Sequence, residues 1–357
     1  MKIQKSRMLV WALSIAIAGL ILSASSSKSA NLSSGESPAG QTLLLNAAGS
    51  TFAYPVYSKW FNSYHQEHPN VEFNYASIGS GGGIAQLRAG TVDLGASDMT
   101  MNDKLLATFK GKTLQFPIAL GAAVPAYNIP GVNVALKFTP QALAGIYLGK
   151  ITKWNDSELA RANPGVKLPN QKIIVVHRSD GSGTTFIWCD YLSKISPEWK
   201  TKVGANTSVN WPVGLGGKGN EGVVGLVQQT PYSIGYAELT YCLQNNMLYG
   251  TVRNSSGNYI KATLASVTAA AADNAGELQK DIRASITNAP GKESYPVSSF
   301  TYLFVPASIP NAAKRVAIKA FLGWMLSEGQ TELQPISFAQ LPQPMVDIEK
   351  SMIPEIQ

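Results

Sequence analysis

Three short apolar runs in this chain each break into a Gly/Ser/Thr turn and then into a helical pattern. That order makes strands and helices alternate around a common sheet and so points to an α/β architecture. The first run is Leu43 to Leu45, followed by Ala48-Gly49-Ser50-Thr51-Phe52 and by Pro55, early in a helix where proline is tolerated. Val71, Phe73 and Tyr75, at period two, lead into Ile78-Gly79-Ser80-Gly81-Gly82-Gly83. Ile173 to Val176 leads into Arg178-Ser179-Asp180-Gly181-Ser182-Gly183-Thr184. Val56, Trp60, Phe61 and Tyr64 fall on one face of the first helix. Further strands are expected at Phe116 to Tyr127, Ser233 to Ala237 and Tyr295 to Val305. A long helix with Ala317, Phe321, Trp324 and Met325 on one face is expected to close the chain.

The turns also carry chemistry. A helix N-terminus presents unpaired amides and partial positive charge, and Gly lets an oxyanion reach the backbone while Ser and Thr hydroxyls add donors. One such turn is more often a simple cap. Three in one chain could converge on one small oxyanion, and Arg178, four residues before Ser182, is placed to give it a bidentate grip. Asp98 ends the stretch Val92-Asp93-Leu94-Gly95-Ala96-Ser97-Asp98. Taken alone, it reads as a cap for the following turn.

The N-terminus sets the compartment. Lys2, Lys5 and Arg7 precede an apolar run from Met8 to Leu22 and then small residues to Ala30, the layout of a signal peptide over residues 1–30 with cleavage between Ala24 and Ala30. A membrane anchor needs about 18 to 20 apolar residues, more than this run supplies. Residues 31–40, rich in Ser, Gly and Pro, read as a flexible leader. Losing residues 1–30 removes four basic groups and no acidic ones, so the net charge falls from +7 to about +3. That is no nucleic-acid footprint, which would mass basic residues on one face. The remaining length exceeds what one core usually serves, so two domains are expected. Cys189 and Cys242 could form a bridge outside the cytoplasm or remain buried thiols.

Several enzyme signatures fail. Gly111-Lys112-Thr113 lacks the P-loop glycine, Leu106 standing in its place, and no Gly-x-Ser-x-Gly elbow occurs. Gly214 to Gly219 fits a dinucleotide pattern but follows Trp211-Pro212 and no clean apolar strand. His65 and His68 lie beside Pro69 at a helix end, and with three histidines in all, neither a metal site nor a cofactor is expected.

The segments AGSTFAYPVYSKW, IGSGGGIAQLRAGTVDLGASD, YLGKITKWND, RSDGSGTTF and WPVGLGGKGNEGVVGLVQ resemble, in order and spacing, the periplasmic phosphate-binding proteins of bacterial phosphate ABC transporters. The resemblance covers nearly all of residues 43–345. It implies a type II-like periplasmic-binding-protein fold, with lobe 1 formed by 41–124 and 295–357, lobe 2 by 125–294, and hinge strands near Tyr127 and Val297. It implies a monomer that captures inorganic phosphate in the periplasm and hands it to the permease subunits of an inner-membrane ABC transporter. The phosphate ligands it implies are Ser50, Thr51, Phe52, Ser80 and Asp98 from lobe 1, with Asp98 accepting the ligand's proton, and Arg178, Ser182, Gly183 and Thr184 from lobe 2. Asp180 is implied as the partner that orients Arg178. The family often carries serine where this chain has Gly81. The competing expectations are a secreted phosphoryl-transfer or phosphatase-like enzyme, for which no His or Lys stands beside a loop hydroxyl, and a receptor for another tetrahedral oxyanion, against which Asp98 argues.

Overall fold

The computed structural model describes residues 42–357, so the expected signal peptide and leader lie outside the described residues. The strands are β1 (Leu43–Gly49), β2 (Val71–Ser77), β3 (Leu94–Ser97), β4 (Thr113–Asn128), β5 (Lys137–Phe138), β6 (Ile174–Arg178), β7 (Leu215–Gly217), β8 (Ser233–Glu238), β9 (Thr251–Arg253), β10 (Tyr259–Ile260) and β11 (Ser298–Pro306). Eight of them form one sheet in the order β2-β1-β3-β11-β4-β8-β6-β7, and β10-β9-β5 form a small second sheet. Parallel strands lie at the flanks of the large sheet, with β1 between β2 and β3, and β6 between β7 and β8.

The long central strand β4 joins the two halves. It is buried almost throughout, as its near-continuous apolar sequence requires. From Thr113 to Ala122 it pairs antiparallel with β11, and from Ala123 to Asn128 with β8. Pro117, which cannot donate to the ladder, sits where the β4–β11 register shifts. Ile118 next to it has no partner on β11, and its carbonyl accepts from the Gln330 side chain instead.

Local patterning accounts for the helices beside the first turn. Tyr54–Glu67 carries Pro55 in its first turn and buries Val56, Tyr57, Trp60, Phe61 and Tyr64, with Phe61 stacked on Phe73 of β2 at 4.4 Å. The expected late helix spans Ala312–Met325 and buries Ala317, Phe321, Trp324 and Met325. It does not close the chain, because a short helix at Glu328–Thr331 and an amphipathic one at Gln343–Met352, with proline in its first turn, follow it. Cys189 and Cys242 are both buried free thiols.

Glu349 on this last helix is fully buried, and neither of its carboxylate oxygens has a partner among the described residues. Burial pushes its pKa well above the usual carboxylate range. With the folded pKa raised, its contribution to stability is complete below the unfolded value of about 4.3 and is lost as pH rises through the folded pKa. Glu349→Gln is therefore expected to gain stability relative to the wild type between pH 4 and pH 8. Urea denaturation at both pH values measures this, and a gap independent of pH would show that folding does not raise the pKa of Glu349.

Candidate functional site

The three turns converge where the two halves of the sheet meet. In the first, Ser50 donates its hydroxyl to Asp98 Oδ1 (2.6 Å), accepts from the Ala53 amide and gives its own amide to Ala96 O. The amide and hydroxyl proton of Ser50 are thus both engaged, and the hydroxyl holds the carboxylate. Thr51 and Phe52 follow at the entry to the helix Tyr54–Glu67, both buried. Ser80 opens the helix Ser80–Ala89 and its Oγ accepts from the Asp98 amide (3.3 Å).

Asp98 sits one residue beyond β3 and is 2 % exposed. The helix-cap reading fails, since Asn102 caps the next helix through Leu105 N. Oδ1 accepts from the hydroxyls of Ser50 and Thr301 (2.6 and 2.7 Å), while Oδ2 is buried without a partner among the described residues. Burial raises its pKa to about 6, against the opposing pull of the Ser50 and Thr301 hydroxyls and of Arg178. Oδ2 points at the start of the helix Gly183–Ile195, where a Cβ on Gly183 would lie 2.4 Å from Oδ2 and 2.5 Å from Ser80 Oγ. Only glycine fits there.

The third turn follows β6. Arg178, 3 % exposed, reaches Asp180 through Nε to Oδ1 (2.8 Å) and Nη2 to Oδ2 (2.5 Å), and Thr184 Oγ1 through Nη1 (3.3 Å). Asp180 therefore orients the guanidinium, and it also accepts from the Gly219 amide (3.0 Å). Burial alone would raise Asp180, but Arg178 and the Gly219 amide outweigh it and hold the carboxyl below its usual range. Ser182 caps the helix through Thr185 N, leaving Gly183 and Thr184 in its first turn.

Contacts across the cleft are direct. Gly81 N donates to Gly181 O (2.8 Å), and a Cβ at Gly81 would stand 3.0 Å from Gly181 Cα. A serine at this position would press on the opposite turn, which gives the absence of that side chain a steric consequence beyond one hydroxyl. Tyr241 OH donates to Thr51 O (2.6 Å), and Asn220 bonds both Thr51 and Thr184.

Neither Asn220 nor Thr301 is among the site residues expected from sequence. Asn220 lies in the first turn of the helix Gly219–Gln229, after a fourth strand-to-helix turn that leaves β7; that short strand falls inside the Gly214–Gly219 stretch, and no strand directly precedes it, as the sequence reading held. The turn was the available signal. Thr301 lies mid-strand in β11, where only the pairing of Tyr302 with Ser97 on β3 brings it beside Asp98.

The assembled site holds many neutral donors, one guanidinium already balanced by Asp180, and one carboxylate oxygen free to accept. That set fits a small tetrahedral oxyanion which still carries a proton. Among the described residues no group of three or more His, Cys, Asp or Glu could hold a metal ion, and no helix is long and apolar enough to cross a membrane.

Residues 32–329 match the model of the PBP superfamily domain. The phosphate-binding protein PstS of Xylella fastidiosa (strain Temecula1) is 44% identical over 307 residues, covering 86% of this chain and 84% of its own. That of Haemophilus influenzae is 41% identical over 321 residues, covering 90% and 95%. Among solved structures, a high-affinity periplasmic phosphate-binding protein, PfluDING, bound with phosphate, aligns over 87% of this chain and 93% of its own at 17% identity and a TM-score of 0.68. An ABC-type phosphate transport receptor from Vibrio cholerae covers 84% and 100% at 18% identity and a TM-score of 0.53. At these identities the solved structures establish a shared fold.

Proposed function

The chain belongs to the phosphate-binding proteins of the PBP superfamily, and from that premise we propose that it captures inorganic phosphate between two lobes and delivers it to an ABC phosphate importer. It is a binding protein rather than an enzyme, as its relatives are. The observation that carries the reading is Asp98 Oδ2, a lone buried acceptor facing a ring of donors.

In this reading Thr51, Phe52, Ser80, Gly183 and Thr184 donate from amides or hydroxyls, Ser182 adds its hydroxyl, Arg178 grips two oxygens, and Asp98 takes the proton of the fourth. Lobe 1 is 41–124 with 295–357 and lobe 2 is 125–294. The change of partner along β4 between Ala122 and Ala123, and the bond from Ala123 N to Val297 O (3.0 Å), support a hinge at this level. The protein would work in the periplasm as a monomer, docking on the permease subunits of an inner-membrane transporter.

Calorimetry of the ligand-stripped protein against phosphate, arsenate, sulfate and molybdate tests the assignment, and absence of phosphate heat would reject it. Because donors come from both lobes, phosphate is also expected to close them. Solution scattering should give a smaller radius of gyration with phosphate than without, and superimposable curves from verified empty and saturated samples would contradict closure.

A further inference from the structure

We infer that Asn220 orders the hydroxyl protons of Thr51 and Thr184, leaving both hydroxyls able only to donate into the cleft, and is thereby a specificity-determining positioning residue. The inference rests on the phosphate reading of the cleft. A threonine hydroxyl has one proton and two lone pairs, so it can rotate between donating and accepting unless its lone pairs are filled. Thr51 Oγ1 accepts from Asn220 N (3.2 Å) and Asn220 Nδ2 (2.8 Å). Thr184 Oγ1 accepts from Asn220 Nδ2 (3.2 Å) and Arg178 Nη1 (3.3 Å). Each oxygen therefore has both lone pairs occupied and one proton left to give.

Asn220 itself has no freedom to reverse this. It is fully buried, and its Oδ1 accepts from Glu238 N (2.9 Å), which fixes the amide with Nδ2 towards the two hydroxyls. Glu238 N is in turn held by β8, where Glu238 pairs with Ala123 of β4, and the Glu238 side chain caps the helix Leu239–Gln244. One side chain thus spans the cleft, since Thr51 comes from the first turn and Thr184 and Asn220 from the opposite half. The hydroxyl of Thr51 gains its fixed polarity only when the halves meet. A cleft whose hydroxyls can only donate favours an anion rich in acceptors, and it leaves Asp98 Oδ2 as the place for the ligand's single proton.

Double-mutant cycles on the full mature chain test this. Phosphate affinity would be measured by calorimetry, extended to millimolar binding by 31P line shapes. Asn220→Ala is expected to weaken phosphate about 30-fold or more in the wild type, as two hydrogen bonds to a charged ligand lose their alignment. In Thr51→Val and in Thr184→Val backgrounds the same change should cost markedly less, because one of its two targets is gone. An equal loss in all three backgrounds would make Asn220 a structural residue and overturn the inference, as would no loss at all. Should Asn220→Ala fail to fold, the near-isosteric Asn220→Asp replaces it. Its carboxylate would accept from both hydroxyls and turn their protons away, with an expected loss on the order of 100-fold, and unchanged affinity would overturn the inference. Absence of phosphate binding by the wild type would reject the phosphate reading itself, an outcome distinct from all of these.

Discussion

Arg178→Ala is expected to weaken phosphate binding by about 2 to 5 kcal/mol. A guanidinium has five N–H donors. Two of them go to Asp180, from Nε and Nη2, and one to Thr184, from Nη1. Two remain, the number needed to grip two oxygens of one anion. The variant also strips Asp180 of the charge that balances it, leaving a partly buried carboxylate beside the incoming anion. Arg178→Ala combined with Asp180→Asn should therefore recover part of the loss. Arg178→Lys should not, because a single ammonium cannot reproduce the planar fork held by Asp180. Calorimetry on the wild type and these three variants measures all of this, and a wild-type affinity in Arg178→Ala would reduce the third turn to a simple helix cap.

Sulfate is expected to compete poorly for the cleft even in large excess, whereas arsenate should displace labelled phosphate. At neutral pH phosphate and arsenate retain a proton that Asp98 Oδ2 can accept. Sulfate has none, and meets the carboxylate as like charge without a hydrogen bond, a penalty of several kcal/mol. The carboxylate is ready for this role at pH 7 because its pKa, raised by burial, lies at about 6. Two perturbations should narrow the gap. Lowering the pH to 5 protonates Asp98 and gives sulfate a donor. Asp98→Asn does the same with an amide, since Ser50 and Thr301 donate to Oδ1 and would retain the carbonyl there, turning Nδ2 to the ligand. Competition binding at pH 7.5 and pH 5 with both proteins reads the effect. Strong sulfate competition in the wild type at pH 7.5 would take Asp98 out of the site and weaken the case for phosphate.

How much of this was legible before folding depends on how far apart the partners lie in sequence. The strand-to-helix turns at Ser50, Ser80 and Ser182 were visible because each is a local matter of glycine, a small hydroxyl and a following amphipathic helix. The Arg178–Asp180 pair, although its members lie two residues apart, was implied only by the family resemblance. The late helix was legible from its apolar face. The segment after it was not, because proline reads as a break until its place in a first turn is seen.

The sequence by itself determined an α/β chain with several anion-seeking turns and, through the family resemblance, an expectation of phosphate as their ligand. Periodicity and turn chemistry act over a few residues and survive in a linear reading. Tertiary structure decided which groups are free to act. Asp98 changes from a possible cap to a lone acceptor because Thr301, 203 residues away, and Ser50 occupy only one of its oxygens. Asn220 enters the site because it meets Thr51 from 169 residues away. Hydrogen bonding saturates: a group's role is set by which of its donors and acceptors neighbours have already taken, and those neighbours are assembled only when the two halves of the sheet come together along β4.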